Sequence, residues 1–200
     1  MARPRMRAIP LGGVGEVGKN MMAIEYRGDL VLIDAGAKFP EEEQRGIDLI
    51  IPDTTYLTEN LNRFRAILLT HGHEDHIGSL PYLVPQLDSI APVPMYGSRL
   101  ALAFARNKLE EAKAAHLVDF MPIDPGVKYR IGHHMEVEFI PVTHSIPGSM
   151  AISISTPVGR MIHTGDFKFD PTPPLGPHTD ERRLRQMGDE GVLALFSDTV

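Results

Sequence analysis

A chain of 200 residues with no cysteine excludes disulfides and thiolate metal sites, so any bound metal must be held by His, Asp or Glu. A formal net charge of −6 leaves no electrostatic footprint for nucleic acid on this stretch, although it does not exclude a nucleic-acid substrate. The basic Met1 to Arg7 leads into Pro10 and glycines, not an apolar signal core, and no uninterrupted apolar run is long enough to span a bilayer; the composition predicts a soluble, cytoplasmic domain with a sizeable core and no membrane partner.

Arg7 to Leu11 reads as a short strand entering a glycine-rich run, Gly12 to Asn20. Gly13, Gly15 and Gly18 satisfy the dinucleotide fingerprint G-x-G-x-x-G. Gly13 to Lys19 satisfies most of the P-loop pattern, with Asn20 where Ser or Thr would bind magnesium. Both motifs need a helix directly after the glycines, so that its N-terminus meets phosphate. Met21 to Tyr26 reads instead as a strand, which favours a tight turn over a nucleotide loop. Gly28-Asp29 then turns the chain into a second strand, Leu30 to Ile33, that ends at Asp34. An aspartate at a strand end is ordinarily a turn former; here it can also orient a metal-ligating histidine.

Glu41 to Ile51 predicts a loop with one helical turn, its run Glu41-Glu42-Glu43 solvated. Asn62 to Leu69 leads into a buried strand, and Ile77 to Leu87 has helical spacing that Pro81 and Pro85 limit. After a strand at Val93 to Tyr96, Ser98 caps an amphipathic helix through about Ala115, with Leu100, Phe104 and Leu109 among its apolar positions. Strands follow around Leu117–Met121, Val127–Ile131 and Met135 to Val142. Met150 to Thr156 and Arg160 to His163 form a hairpin that turns at Pro157-Val158-Gly159. Pro171 to Pro177 is loop, Thr179 to Gln186 a short helix, and Val192 to Phe196 a last strand ending in Ser197-Asp198. Strands outnumber helices and hairpins stand beside helices, which favours a layered α/β arrangement with mixed sheets.

The chemistry is concentrated in Thr70-His71-Gly72-His73-Glu74-Asp75-His76-Ile77-Gly78, directly after the apolar run Ala66 to Leu69. Such a density of imidazole and carboxylate is not something a folding core requires, and it is the ligand set of zinc or a similar divalent ion. His71 and His73, two apart at a strand end, face one side; Asp75 and His76 follow where the chain turns into the next helix. The arrangement can present two ligand pairs to two ions about 3.5–4 Å apart. A histidine pair leaves an ion short of ligands. His144, in a polar loop after a strand, and Asp166, in a Gly-Asp turn after another, can make up the set, and a carboxylate can bridge two ions. His116, His133, His134, His163 and His178 are assigned surface or packing roles, His163 with an added supporting role beside Asp166.

His71-Gly72-His73-Glu74-Asp75-His76 resembles the H-x-H-x-D-H signature of the metallo-β-lactamase superfamily. Pro10 to Asn20, Gly46 to Asp53, His144-Ser145-Ile146-Pro147 and His163 to Lys168 together resemble the ribonuclease J family, in the β-CASP branch of that superfamily. The resemblance implies a four-layer αββα sandwich made from two parts of a chain. Residues 1–200 would supply the first part, and a β-CASP insertion and the remainder are expected after residue 200. It implies that His71, His73 and His144 hold one ion, that Asp75 and His76 hold a second, that Asp166 bridges and that Asp34 supports the site. The last ligand of the second ion would lie beyond Val200. It also implies a metal-dependent ribonuclease, 5′→3′ exonucleolytic and endonucleolytic, with two divalent ions (zinc before manganese), an RNA substrate and a homodimeric full-length protein. Asp75 and His76 would be its catalytic residues, Asp75 positioning a water or moving its proton. Gly148 departs from the carboxylate expected in that family, and Ser197 to Val200 matches only in part. The rival readings are another hydrolase on the same scaffold (thioesterase, lactonase or β-lactamase) and a nucleotide-binding protein using Gly13 to Lys19.

Overall fold

The computed structural model describes residues 4–198. Six strands, β1 (Arg7–Gly12), β2 (Met21–Tyr26), β3 (Asp29–Ile33), β4 (Phe64–Leu68), β5 (Val93–Gly97) and β6 (Val118–Pro122), form one sheet in that order. The first three pair antiparallel and β3 to β6 run parallel. The parallel crossovers carry helices α1 (Thr55–Thr58), α2 (Glu74–Ile77), α3 (Leu80–Leu83) and α4 (Arg99–Glu111). A second sheet has the order β11-β10-β9-β8-β7, from β7 (Lys128–Ile131), β8 (Met135–Pro141), β9 (Met150–Thr156), β10 (Gly159–His163) and β11 (Ala194–Phe196). Its pairs are antiparallel except β10 with β11, which are joined through α5 (Glu181–Glu190).

Strand alternation sorts the side chains into layers. Met21, Ala23, Leu30, Leu32, Ile67 and Leu69 point away from the second sheet, into a core shared with Leu80, Leu83, Leu102 and Leu109 of the helices. Their neighbours Ile24, Tyr26, Val31, Ile33 and Leu68 point the other way and meet Val137, Phe139, Ile152 and Ile154 across the sandwich. The outer face of the second sheet puts Ile140, Ala151 and Ile162 against Met187 of α5. The order helix, sheet, sheet, helix follows, and β2 and β3 are buried along their whole length because both faces are covered. Each Leu or Ile so buried contributes about 1.5–3 kcal/mol.

The elements differ from the sequence expectation in three places. The helix expected over Ile77 to Leu87 is broken: α2 begins inside the histidine motif, α3 is one turn with Pro81 near its start, and Val84–Ile90 is a 3-10 segment. Pro81 and Pro85 lack the N–H that a continuous helix needs. The turn expected within Glu41 to Ile51 is a Gln44 N–H to Glu41 carbonyl bond of 2.9 Å and does not propagate as helix. The helix after Ser98 stops at Glu111, and its buried face is Ala101, Leu102, Ala105 and Leu109, leaving Phe104 41% exposed. Ser98 does cap it, its side chain accepting from the Ala101 N–H.

At one end the two sheets are fastened by Asp29, the first residue of β3. Its carboxylate accepts from Arg65 Nε at 2.8 Å and from the backbone N–H groups of His133 and His134 at 2.7 and 3.0 Å. Burial opposes its charge, but these donors outweigh it and hold the carboxyl below its ordinary range. The other end of the sandwich carries the site.

Candidate metal centre

Strands β3, β4 and β5 are parallel, and β8 and β10 both run antiparallel to β9, so the chain leaves β3, β4, β8 and β10 at definite edges. Asp34 follows β3, Thr70 to His76 follow β4, His144 follows β8 and Asp166 follows β10. The two sheets approach closely here. The Met150 N–H donates to the Thr70 carbonyl at 2.9 Å, and a Cβ on Gly165 (φ +57°) would lie 2.9 Å from Thr70 Cβ. Seven residues singled out in the sequence therefore converge from both sheets.

Asp34 sits in the left-handed region at φ +58°, a conformation Asp tolerates and branched residues do not. Its buried carboxylate accepts from the Thr70 N–H at 2.8 Å through Oδ1. Through Oδ2 it accepts from Thr70 Oγ1 at 2.7 Å and from His76 Nδ1 at 2.8 Å. A protonated Nδ1 leaves Nε2 as the His76 atom that faces the cluster. Having given its hydrogen to Asp34, Thr70 Oγ1 accepts from His71 Nδ1 at 3.0 Å, which likewise turns His71 Nε2 inward.

Two groups of donor atoms result. In the first, His71 Nε2 and His144 Nε2 lie 3.1 and 3.2 Å from His73 Nδ1, and Asp166 Oδ2 lies 3.5 Å from His144 Nε2 and 3.8 Å from His71 Nε2. A tetrahedral ion with bonds of about 2.1 Å separates its ligands by about 3.4 Å, so these spacings fit such an ion. Three imidazole nitrogens facing one another cannot all be satisfied by mutual hydrogen bonds, and a cation resolves the conflict. In the second group, His76 Nε2 lies 3.1 Å from Asp166 Oδ1 and 3.6 Å from Asp75 Oδ2. Asp166 thus offers one oxygen to each group. Among the described residues the first group has four donors and the second three.

Electrostatics separates the histidines. Burial, reinforced by the neighbouring His76 charge, lowers His71 to a pKa of about 3 and keeps it neutral. Burial opposes charge on His76 too, but the Asp34 and Asp166 carboxylates prevail and raise it to about 10. Burial would raise Asp166; its hydrogen bond and attraction to His76 outweigh this and bring it to about 2. His144 is lowered by burial. Without metal, then, the His76 imidazolium is held between carboxylates while burial disfavours charge on His71 and His144.

The donors open onto a cavity of about 630 Å³ that Asp75, His76, His163 and Asp166 share with the glycine run and with Ser197 and Asp198. That run leads into β2 and not into a helix, which removes the phosphate-binding geometry of both nucleotide motifs. His163, read as a packing residue with a supporting role, ends β10 and accepts from the Gly165 N–H through Nδ1 at 3.1 Å, shaping the Asp166 turn. His134 packs at the Asp29 fastening, His116 lies in a 3-10 turn, and His178 faces the Asp170 carbonyl at 3.4 Å. Sequence reasoning missed Asn20, whose side-chain nitrogen reaches His76 and Asp75. It also missed the brace from α4. The Phe104 ring covers Gly72, where an added Cβ would stand 2.6 Å away, and Lys108 pairs with Glu74 at 2.6 Å.

Strand-end histidines and a shared aspartate spaced as metal ligands, between two sheets with helices outside, define a class. The sequence profile of the metallo-β-lactamase superfamily matches residues 14–194, and the chain belongs to that superfamily. Divalent metal ions are implied by that membership. Within it the chain is similar to ribonuclease J of Thermus thermophilus, at 44% identity over 192 residues (95% of this chain, 34% of that protein). It is also similar to ribonuclease J 1 of Streptococcus pyogenes, at 46% over 189 residues (94% and 33%), and to ribonuclease J2 of Bacillus subtilis, at 43% over 194 residues (97% and 34%). The chain spans about a third of the length of these curated relatives. Zinc-bound PqqB from Methylobacterium extorquens superposes with a TM-score of 0.61 at 16% identity, covering 90% of this chain and 60% of that one. Human short-form tRNase Z superposes with 0.55 at 18% identity, covering 80% and 68%. At these identities the likeness to the two structures is one of fold. Among the described residues no helix is long and apolar enough to cross a membrane.

Proposed function

We propose that the chain is the metal-binding part of a ribonuclease that hydrolyses RNA phosphodiester bonds, 5′→3′ from an end and also internally. The observation that carries the reading is the split of Asp166, one oxygen toward the His71, His73 and His144 nitrogens and the other toward His76 and Asp75. The similarity to three ribonucleases J supports RNA as the substrate. In this reading His71, His73, His144 and Asp166 hold one ion, and Asp75, His76 and Asp166 hold the second. Imidazole and carboxylate suit zinc first and manganese second. When bound, such a pair supplies Lewis-acid stabilisation of phosphate charge and acidifies water.

The chain's own residues do the rest. Asp34 and Thr70 fix the tautomers that aim His76 and His71 inward. Asp75, more exposed than His71, His76, His144 and Asp166, lines the cavity and is placed to orient a water or take its proton. His76 is the second residue assigned to catalysis, as the imidazole between the Asp34 and Asp166 carboxylates. The full-length protein would add a β-CASP segment after residue 200, complete the second ligand set, act as a homodimer and work in the cytoplasm.

The test uses the full-length protein on a 5′-monophosphorylated single-stranded RNA, with thioester, lactone and β-lactam substrates in parallel. RNA cleavage should require metal and vanish in His76→Ala and Asp166→Ala while circular dichroism stays native. Nuclease activity retained by metal-free Asp166→Ala overturns the reading. So does hydrolysis of one of the other substrates with RNA left intact.

A further inference from the structure

The glycine run leads into a strand and not a helix, yet it is pressed against the metal centre. The Asn20 N–H donates to the Asp75 carbonyl at 2.9 Å, the Asn20 carbonyl accepts from the Gly36 N–H at 2.9 Å, and the Lys19 N–H donates to the Ala37 carbonyl at 3.1 Å. These contacts exist only because side chains are missing. A Cβ on Gly36 would fall inside the Asp75 carbonyl oxygen, and one on Gly13 (φ +83°) would stand 2.5 Å from Asn20 Oδ1. Lys19 takes φ +55°, the left-handed turn that swings Asn20 inward. Asn20 Oδ1 is thereby turned to Gly13, and Nδ2 enters the second donor group, 3.2 Å from Asp75 Oδ2 and 3.0 Å from His76 Nε2.

We infer that Asn20 is a positioning residue for the second metal position. Its amide N–H donates to Asp75 Oδ2 and holds that half-exposed carboxylate toward His76 Nε2 and Asp166 Oδ1. The inference rests on the proposed role of Asp75 and His76 as metal ligands. His76 and His71 are oriented by buried partners, Asp34 and Thr70; Asp75 stands on the short α2 at the cavity rim, where Asn20 supplies its donor. Outer hydrogen bonds of this kind tune metal affinity by about 10–100-fold. The glycine run is then an arm that delivers one amide to the site, and its resemblance to phosphate loops follows from the same need for close backbone approach.

The experiment is a stepwise zinc titration of the metal-stripped full-length protein, read by competition with a chromophoric chelator, for wild type, Asn20→Ala and Asn20→Leu. Leucine keeps the volume of asparagine without its donor. Wild type should bind two ions per chain. Both variants should keep the first affinity, which also certifies the fold, and lose about 10–100-fold in the second. Two wild-type affinities in Asn20→Leu overturn the inference, as does an equal loss at both steps. A wild-type protein that takes up no metal overturns the metallohydrolase reading itself.

Discussion

Replacing Asp34 by Asn isolates the part of the site that the buried hydrogen-bond network carries. Asparagine matches the shape and tolerates φ +58° as well as aspartate does, so the backbone is not strained. Its Oδ1 keeps the 2.8 Å bond from the Thr70 N–H. The amide nitrogen then stands where Oδ2 stood, facing Thr70 Oγ1 and His76 Nδ1. Thr70 Oγ1 can turn and accept. His76 must give up the hydrogen on Nδ1 and carry it on Nε2, the atom that faces Asp166 and Asp75. A charge-assisted bond of about 1.5–3 kcal/mol gives way to a neutral one of about 0.5–1.5, so stability should fall by only about 1–2 kcal/mol. Metal affinity should fall by about 10–100-fold, because Nε2–H cannot ligate. The His76 pKa should drop well below its value of about 10, since the carboxylate that contributes most to raising it is gone. Zinc competition, denaturant unfolding and an NMR titration of the histidines read the three quantities. Asp34→Asn with wild-type metal affinity and an unmoved His76 would refute the tautomer argument.

Metal uptake should be pH-dependent through the same residue. His76 is charged below about 10 in the metal-free protein, so zinc binding should release one proton and tighten as pH rises from 6 toward 10, which calorimetry in buffers of differing ionisation enthalpy detects. For the metal-free fold the sign is opposite. A histidine raised from 6.5 stabilises fully below 6.5 and loses that contribution as pH climbs through about 10. On the acid side, His71 lowered to about 3 and Asp166 lowered to about 2 make stability fall, from about pH 6.5 downward for His71 and from about pH 4 downward for Asp166. Gly36→Ala should cost about 3 kcal/mol or more, seen as a fall in the melting temperature, because its Cβ has no room beside the Asp75 carbonyl. Phe104→Ala should cost about 1 kcal/mol in stability and loosen the first zinc step several-fold, whereas Lys108→Met, breaking a half-exposed pair, should change stability by about 0.5 kcal/mol.

The metal donors were legible because they lie in the loops that follow apolar strands, and strand ends are where a layered fold exposes chemistry. His71 to His76 announced themselves by density, and Asp34, His144 and Asp166 acquired meaning once that density was noticed. Asn20 carried no such signal. An amide at the end of a glycine-rich run has no characteristic spacing, and its role depends on Gly13 and Gly36 making room for backbones distant in sequence. Phe104 was misplaced for a similar reason. Helical periodicity identifies an apolar stripe, but Phe104 stands just off the stripe of Ala101, Leu102, Ala105 and Leu109 and serves the histidine loop instead. The broken helix after the motif shows local chemistry prevailing over apolar spacing, since Pro81 and Pro85 interrupt what the hydrophobic pattern allows.

The sandwich has two unlike ends, and this governs how such a chain can change over time. At the end closed by Asp29, the hairpin turn at Gly28 faces outward, and a side chain added at Gly28 would meet nothing within 4 Å. Lengthening that turn leaves the strands in register. At the other end the site residues are counted from the last paired residue of each strand: Asp34 from Ile33, His71 from Leu68, Asp166 from His163. One residue inserted into β3, β4, β8 or β10 would turn a donor to the opposite face. Insertions within the strands that lead into the site are therefore costly, whereas the Gly28 turn at the opposite pole has room for them.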